Sequence, residues 1–371
     1  MNTSEIGRHV MVGFAGTQVS DELRYALVEL GAGGVILFTR NFEEPAQLRE
    51  LAAEMRELSV HDRLWIGVDQ EGGTVQRFRA PFTVWPDMAS FAEAAPGLSS
   101  EALKDPKRRE QATADVRKFA RFLADELRAV DVDWNFAPVA DLNTNPDSPV
   151  IGRRAFHEDP DYVAAFVAAF IQSTQSQGML ACAKHFPGHG ATTEDSHTAL
   201  PILDIGEDVL NRRELAPFRA AAEAGVASIM TAHVLYPALD EVLPATLSPR
   251  VIPRLLRPMP YEGVVVSDDF EMAAIAEGYD LGEAAVLAMK AGCDVILCCH
   301  KIERQEAIVR GLYDAVLRED LPRKTLWASD GRLKAMSERF PPRPLPPLAV
   351  IGRQEHLDLA ERIREGSRYL E

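Results

Sequence analysis

Short apolar runs alternate with longer stretches of helical spacing along most of the chain. The runs are Val10–Phe14, Gly34–Phe38, Leu64–Val68, Val132–Pro138, Met179–Ala183, Ala227–Ala232, Gly263–Ser267 and Cys293–Cys299. Many are nearly continuous in Val, Ile and Leu, the pattern of strands covered on both faces. Between them, Asp21–Leu30, Pro45–Leu58, Arg109–Val130, Pro160–Gln175, Val209–Ala224, Gly282–Ala291 and Ile302–Leu317 place apolar residues one helical turn apart. Alternation of this kind builds parallel sheet, because each crossover is long and right-handed. Eight repeats predict the α/β class, as a single (β/α)8 TIM barrel rather than an open doubly wound sheet. No Gly-x-Gly-x-x-Gly opens the first crossover, which argues against a dinucleotide fold.

After the eighth crossover, Lys324–Phe340 reads as a further helix. Pro341-Pro342-Arg343-Pro344-Leu345-Pro346-Pro347 reads as a stiff connector, and Gln354–Tyr369 as a last helix. The expected division is a barrel over residues 1–337 and a connector plus C-terminal helix over 338–371, too short for a core of its own.

Composition narrows the partners. With a formal net charge of −16, the chain is a poor match for nucleic acid or an anionic membrane surface. Cys182, Cys293, Cys298 and Cys299 lie in apolar runs without framework spacing and read as core residues of a reducing compartment. The opening residues lack a charged-then-apolar leader pattern, and no apolar run is long enough to span a bilayer. The expectation is a cytoplasmic enzyme acting on a small molecule, a monomer or weak homodimer.

The conspicuous polar residues fall where a barrel gathers its chemistry, at the carboxyl ends of strands. Asp69-Gln70-Glu71-Gly72-Gly73 follows the third run, Asp141 and Asn143 the fourth, Lys184-His185 the fifth and His233 the sixth. Ser267-Asp268-Asp269 ends the seventh. Asp268 follows Val264-Val265-Val266, so a rigid strand aims its carboxylate at the barrel mouth. Glycoside hydrolysis needs a carboxylate so placed. Asp269 is expected to cap the next helix or support its neighbour.

The segment Lys184-His185-Phe186-Pro187-Gly188-His189-Gly190, followed by Asp195-Ser196-His197, reads as a loop carrying titratable groups. The His197 imidazole can give and take a proton near neutral pH, and Asp195 can orient it. Lys184 and His185 alternate in direction if the strand persists, so at least one should face the pocket. His189 has no assigned role beyond steadying the loop. His185-x-x-x-His189 has ligand-like spacing only on a helix, which Pro187 and Gly188 prevent, so no catalytic metal is expected. Arg77 follows the Gly72-Gly73 turn, where bare backbone would let a substrate approach, and Arg154 lies in the long fourth crossover. Both are candidate binding residues, since a planar guanidinium suits a carboxylate or amide oxygen.

Together, Asp69-Gln70-Glu71-Gly72-Gly73 with Arg77, Gly152-x-Arg154, the Lys184–Gly190 string, Asp195-Ser196-His197 and Ser267-Asp268-Asp269 resemble the family 3 glycoside hydrolases in order and spacing. Within that family they are similar to the bacterial β-N-acetylglucosaminidases (β-hexosaminidases) of peptidoglycan recycling, over roughly residues 8–320. The resemblance implies a cofactor-free retaining exo-hydrolase of terminal β-linked N-acetylglucosamine. Its substrates would be N-acetylglucosaminyl-1,6-anhydromuramyl cell-wall fragments. It implies Asp268 as nucleophile, His197 as acid/base assisted by Asp195, and sugar contacts from Asp69, Arg77, Arg154, Lys184 and His185. The alternatives are a phosphorylase using the same Asp/His pair and an inactive sugar-binding protein. Arg153 stands where relatives often carry an acidic residue and is expected to alter the outer binding site. The proline-rich tail exceeds the usual compact form.

Overall fold

A computed structural model describes residues 2–95, 99–145, 148, 150–192, 196 and 199–368. Eight parallel strands close into a barrel in chain order: β1 (Val10–Val12), β2 (Gly34–Leu37), β3 (Trp65–Val68), β4 (Trp134–Asn135), β5 (Leu180–Phe186), β6 (Ser228–Thr231), β7 (Val264–Asp269) and β8 (Val295–Cys298). All eight expected strands are present, and each helical pattern forms a helix or a set of short ones. The β4 ladder is shorter than the run Val132–Pro138 suggested. Pro138 has no N–H to give to the sheet, although the Ala137 and Pro138 carbonyls still accept from Cys182 N–H (2.9 Å) and Lys184 N–H (3.2 Å) ahead of the isolated bridge between Val139 and Lys184.

Alternation along the strands sorts the core into two layers. Met11, Ile36, Trp65, Trp134, Phe136, Cys182, Met230, Val264, Val266 and Leu297 fill the barrel interior. Val10, Val12, Val35, Leu37 and Val265 belong to the larger cluster between strands and surrounding helices. The interior is tight enough that a Cβ on Gly67 would lie 2.8 Å from the Phe136 ring. At the amino end, Leu333, Met336 and Phe340 of the helix Arg323–Arg339 and its end join the interior layer and plug the barrel.

The helix expected over Arg109–Val130 is two helices, Pro106–Ala112 and Ala114–Ala129. Thr113 departs from helical geometry at ψ 1° while its hydroxyl donates to the Arg109 carbonyl. The C-terminal helix Gln354–Arg368 lies against the barrel, with Leu359, Ala360 and Ile363 buried in the main core. A buried latch fixes it. Glu126 accepts from Thr83 N–H (3.0 Å) and hydroxyl (2.6 Å), Gly352 N–H (3.0 Å) and His356 Nδ1 (2.7 Å). Among the described residues, no helix is long and apolar enough to cross a membrane.

Candidate active site

The carboxyl ends of the strands surround a cavity of about 420 Å³. Asp69, Arg77, Arg154, Lys184, His185 and Asp268 all line it, so residues some two hundred positions apart in sequence share one space. Asp195 and His197 lie outside the described residues. Ser196, between them, is buried and lines the same cavity.

Lys184 and His185 sit within β5, which continues to Phe186 instead of ending at Ala183. They are therefore strand residues, 2% and 5% exposed, and not presented on a loop. The ladder with β6 slips between Ala183 and Phe186, and both side chains face the cavity despite being neighbours. His189, beyond the strand, is buried as well.

Buried charge at this end is organised around Lys184. Its ammonium lies 2.7 Å from Asp69 Oδ1 and 2.7 Å from Glu71 Oε1. Arg77 reaches Asp69 Oδ2 at 3.3 Å, and Arg154 grips Glu71 through two nitrogens at 2.9 and 2.8 Å. Burial alone would raise both acids. Arg154 and Lys184 instead hold Glu71 down at about 2, and Lys184 and Arg77 hold Asp69 below the usual range. Burial works against the Lys184 ammonium, but Asp69 and Glu71 more than offset it and raise its pKa. Glu71 is thus the anchor of this cluster, which its place in a Gly-flanked hairpin did not reveal. A carboxylate followed by two glycines and a distant lone arginine was the available signal.

Asp141, which follows β4, organises the other side. It is fully buried and accepts from His185 N–H (3.1 Å), His185 Nδ1 (2.7 Å) and His189 N–H (2.6 Å). Burial opposes its charge, yet His185 and these donors keep its pKa lowered. An ionised Asp141 requires the proton of His185 on Nδ1, which fixes the ring's tautomer and orientation.

Asp268 ends β7 inside the cavity. Its Oδ1 accepts from Asp269 N–H at 2.8 Å, and among the described residues no cation stands within ion-pair distance. Burial pushes its pKa up, but His185, His233 and the Asp269 N–H leave it lowered. Asp269 differs. Burial and the charges of Glu271 and Asp268 raise it to about 7, while its Oδ1 accepts from Glu271 N–H (3.0 Å) and Cys299 N–H (3.2 Å). It braces the β7 and β8 ends instead of capping a long helix.

One other expectation is corrected. Gly72 and Gly73 do not open the backbone to a substrate. They take φ of 109° and 58°, and a Cβ on Gly72 would lie 2.4 Å from the Pro86 carbonyl oxygen. Arg153 does not line the cavity and pairs with Asp87 (2.9 Å) and Glu93 (2.7 Å), which fastens the turn carrying Arg154 to the helix Met88–Glu93. Among the described residues, no group of three or more His, Cys, Asp or Glu is arranged to hold a metal ion.

The family profile described as glycosyl hydrolase family 3 N terminal domain matches residues 3–335. A β-hexosaminidase of Alkalilimnicola ehrlichii is 43% identical over 307 residues, covering 82% of this chain and 84% of that one. The structure of a family 3 β-N-acetylglucosaminidase from a Paenibacillus species aligns with a TM-score of 0.88 at 39% identity, covering 99% of this chain and 69% of that one. NagZ of Neisseria gonorrhoeae, solved with N-trifluoroacetyl-D-glucosamine, aligns with a TM-score of 0.79 at 32% identity over 97% of this chain and 98% of its own. This chain belongs to glycosyl hydrolase family 3 and is a glycoside hydrolase.

Proposed function

We propose that this enzyme is a retaining exo-β-N-acetylglucosaminidase that works through a covalent glycosyl ester on Asp268. The observation that carries the reading is the contrast inside one cavity. Asp69 and Glu71 are neutralised by cations, whereas Asp268 is ionised and has no ion-pair partner among the described residues. A carboxylate left unpaired on a rigid strand end suits attack on an anomeric carbon. Relatives named β-hexosaminidase and β-N-acetylglucosaminidase support the choice of sugar.

In the first displacement an Asp268 oxygen bonds to the anomeric carbon as the glycosidic bond breaks, and protonated His197 gives its proton to the departing oxygen. Water then attacks the anomeric carbon, His197 takes a proton from it, and the Asp268 carboxylate leaves. His197 and its assistant Asp195 enter on the Asp195-Ser196-His197 motif. Asp69, Arg77, Arg154, Lys184 and His185 hold the sugar hydroxyls and amide. The natural substrate is an N-acetylglucosaminyl-1,6-anhydromuramyl fragment met in the cytoplasm. Residues 1–337 form the catalytic unit, and 338–371 are its connector and packed helix.

Hydrolysis of a chromogenic N-acetyl-β-glucosaminide, followed by proton NMR, tests the reading. The first anomer formed should be β, and phosphate buffer should yield free sugar. A first-formed α anomer would exclude retention, and sugar phosphate would make the enzyme a phosphorylase. His197→Ala should lose most on substrates with a poor leaving group.

A further inference from the structure

His189 lies at the junction of the two strand ends that the proposed chemistry uses, yet the mechanism assigns it no step. Its main chain is tied to β5 through Asp141, which accepts its N–H at 2.6 Å. Its ring spans the start of the following loop. Nδ1 is 2.8 Å from Thr192 Oγ1, and Nε2 is 3.1 Å from Ser196 Oγ. All three side chains are 1% exposed.

The proton positions follow from counting donors. Thr192 has one hydroxyl proton, and it goes to the His189 carbonyl oxygen at 2.9 Å. Thr192 Oγ1 is therefore the acceptor for Nδ1–H. Burial and the neighbouring His185 lower the His189 pKa to about 4, so the ring is neutral and Nε2 carries a lone pair. Ser196 Oγ–H must then donate to Nε2. On its other side the Ser196 carbonyl accepts from Ala274 N–H at 3.2 Å, six residues beyond Asp268. Ser196 is thus held by its side chain to the end of β5 and by its main chain to the segment after β7.

We infer that His189 is a positioning residue that clamps Ser196 between the loop after β5 and the segment after β7, and that the acid/base motif Asp195-Ser196-His197 depends on this clamp for its work. This rests on the assignment of His197 as acid/base under the proposed function. A neutral imidazole suits the task because it offers one donor and one acceptor in a rigid ring. Small displacements of a proton donor from its productive position cost large factors in rate.

The test compares kcat/KM on two substrates, N,N′-diacetylchitobiose and the 2,4-dinitrophenyl N-acetyl-β-glucosaminide. Only the first needs a proton for its leaving group. His189→Ala should lose on the order of tenfold more on the disaccharide than on the dinitrophenyl glycoside. His189→Gln, whose amide also offers a donor and an acceptor, should recover part of that difference. Ser196→Ala should show the same selective loss, and adding it to His189→Ala should cost little more, since both remove one contact. Equal losses on the two substrates would overturn the proposal, as would no loss at all. A double variant whose losses simply multiply would do the same. His197→Ala is the reference. Were it to lose equally on both substrates, the acid/base reading would itself have failed and the clamp with it.

Discussion

The amino end of the barrel and its carboxyl end both carry buried or half-buried clusters of cations and carboxylates. At the amino end Arg56 holds Asp131 at 2.7 Å and Asp133 at 2.8 Å, and Arg63 holds Asp133 at 2.8 Å. Arg332 grips Asp294, whose other oxygen accepts from Val265 N–H at 2.9 Å. Each of these carboxylates is closed off by a cation. Arginines at this end also fasten the tail. Arg63 donates to the Phe340 carbonyl and Arg128 to that of Pro344. At the carboxyl end Asp69 and Glu71 are closed in the same way, but Asp268 is left open beside them. The difference teaches that charge density does not mark a site, whereas an incomplete pairing within a dense network does.

Substitutions can break that comparison. The largest effect is expected at the open carboxylate. Asp268→Ala should lower kcat by about 10⁴-fold or more, while calorimetry still detects bound N-acetylglucosamine. Near-normal turnover would place the chemistry elsewhere. Asp294→Ala, at the opposite end, should cost about 3 kcal/mol in urea unfolding, because it removes a fully buried carboxylate and leaves the half-buried Arg332 and Arg257 guanidiniums without it. Its kcat/KM in the folded state should stay within about twofold of wild type. Glu71→Gln should combine both outcomes, with a similar loss of stability, since Arg154 loses its carboxylate partner and Lys184 is left with Asp69 alone, and a raised KM.

The pH dependence of unfolding sharpens the contrast within the site. Glu71 titrates at about 2 in the folded protein, below its ordinary 4.5. Its contribution is complete above the ordinary value and drains away as pH falls toward about 2. Asp69, Asp141 and Asp268 are lowered and act in the same sense. Asp269 is raised to about 7, so the folded state holds its proton more tightly than the unfolded chain does. Its favourable contribution is present below pH 3.8 and is lost as pH rises through about 7. Asp269→Asn should flatten the neutral side of a plot of urea midpoint against pH, and an unchanged slope there would contradict the assignment. The smallest effect is expected at the tail. His356→Ala leaves the buried Glu126 one donor short and should cost about 1–3 kcal/mol. Its KM should not move.

The strands were legible because both their faces are covered, which writes them as unbroken apolar runs. The convergence of Asp69, Lys184 and Asp268 was legible too, since a barrel forces strand ends together. The pairings were not. Glu71 meets Arg154 across 83 positions and Lys184 across more than a hundred, and no local pattern encodes such a contact. The same applies to Asp141, whose three donors come from residues 44 and 48 positions ahead. At Lys184 and His185 the sequence suggests a loop, because Pro187 and Gly188 follow closely. The strand in fact continues to Phe186, one residue short of Pro187.

The most direct test of an open, nucleophilic Asp268 is to trap it. Incubation with 2-acetamido-2-deoxy-5-fluoro-β-glucosyl fluoride, followed by intact-mass and peptide mapping, should give one added fluorosugar per chain. The label should sit on the peptide containing Asp268. No adduct on an active enzyme, or an adduct mapped to any other carboxylate, would contradict the account.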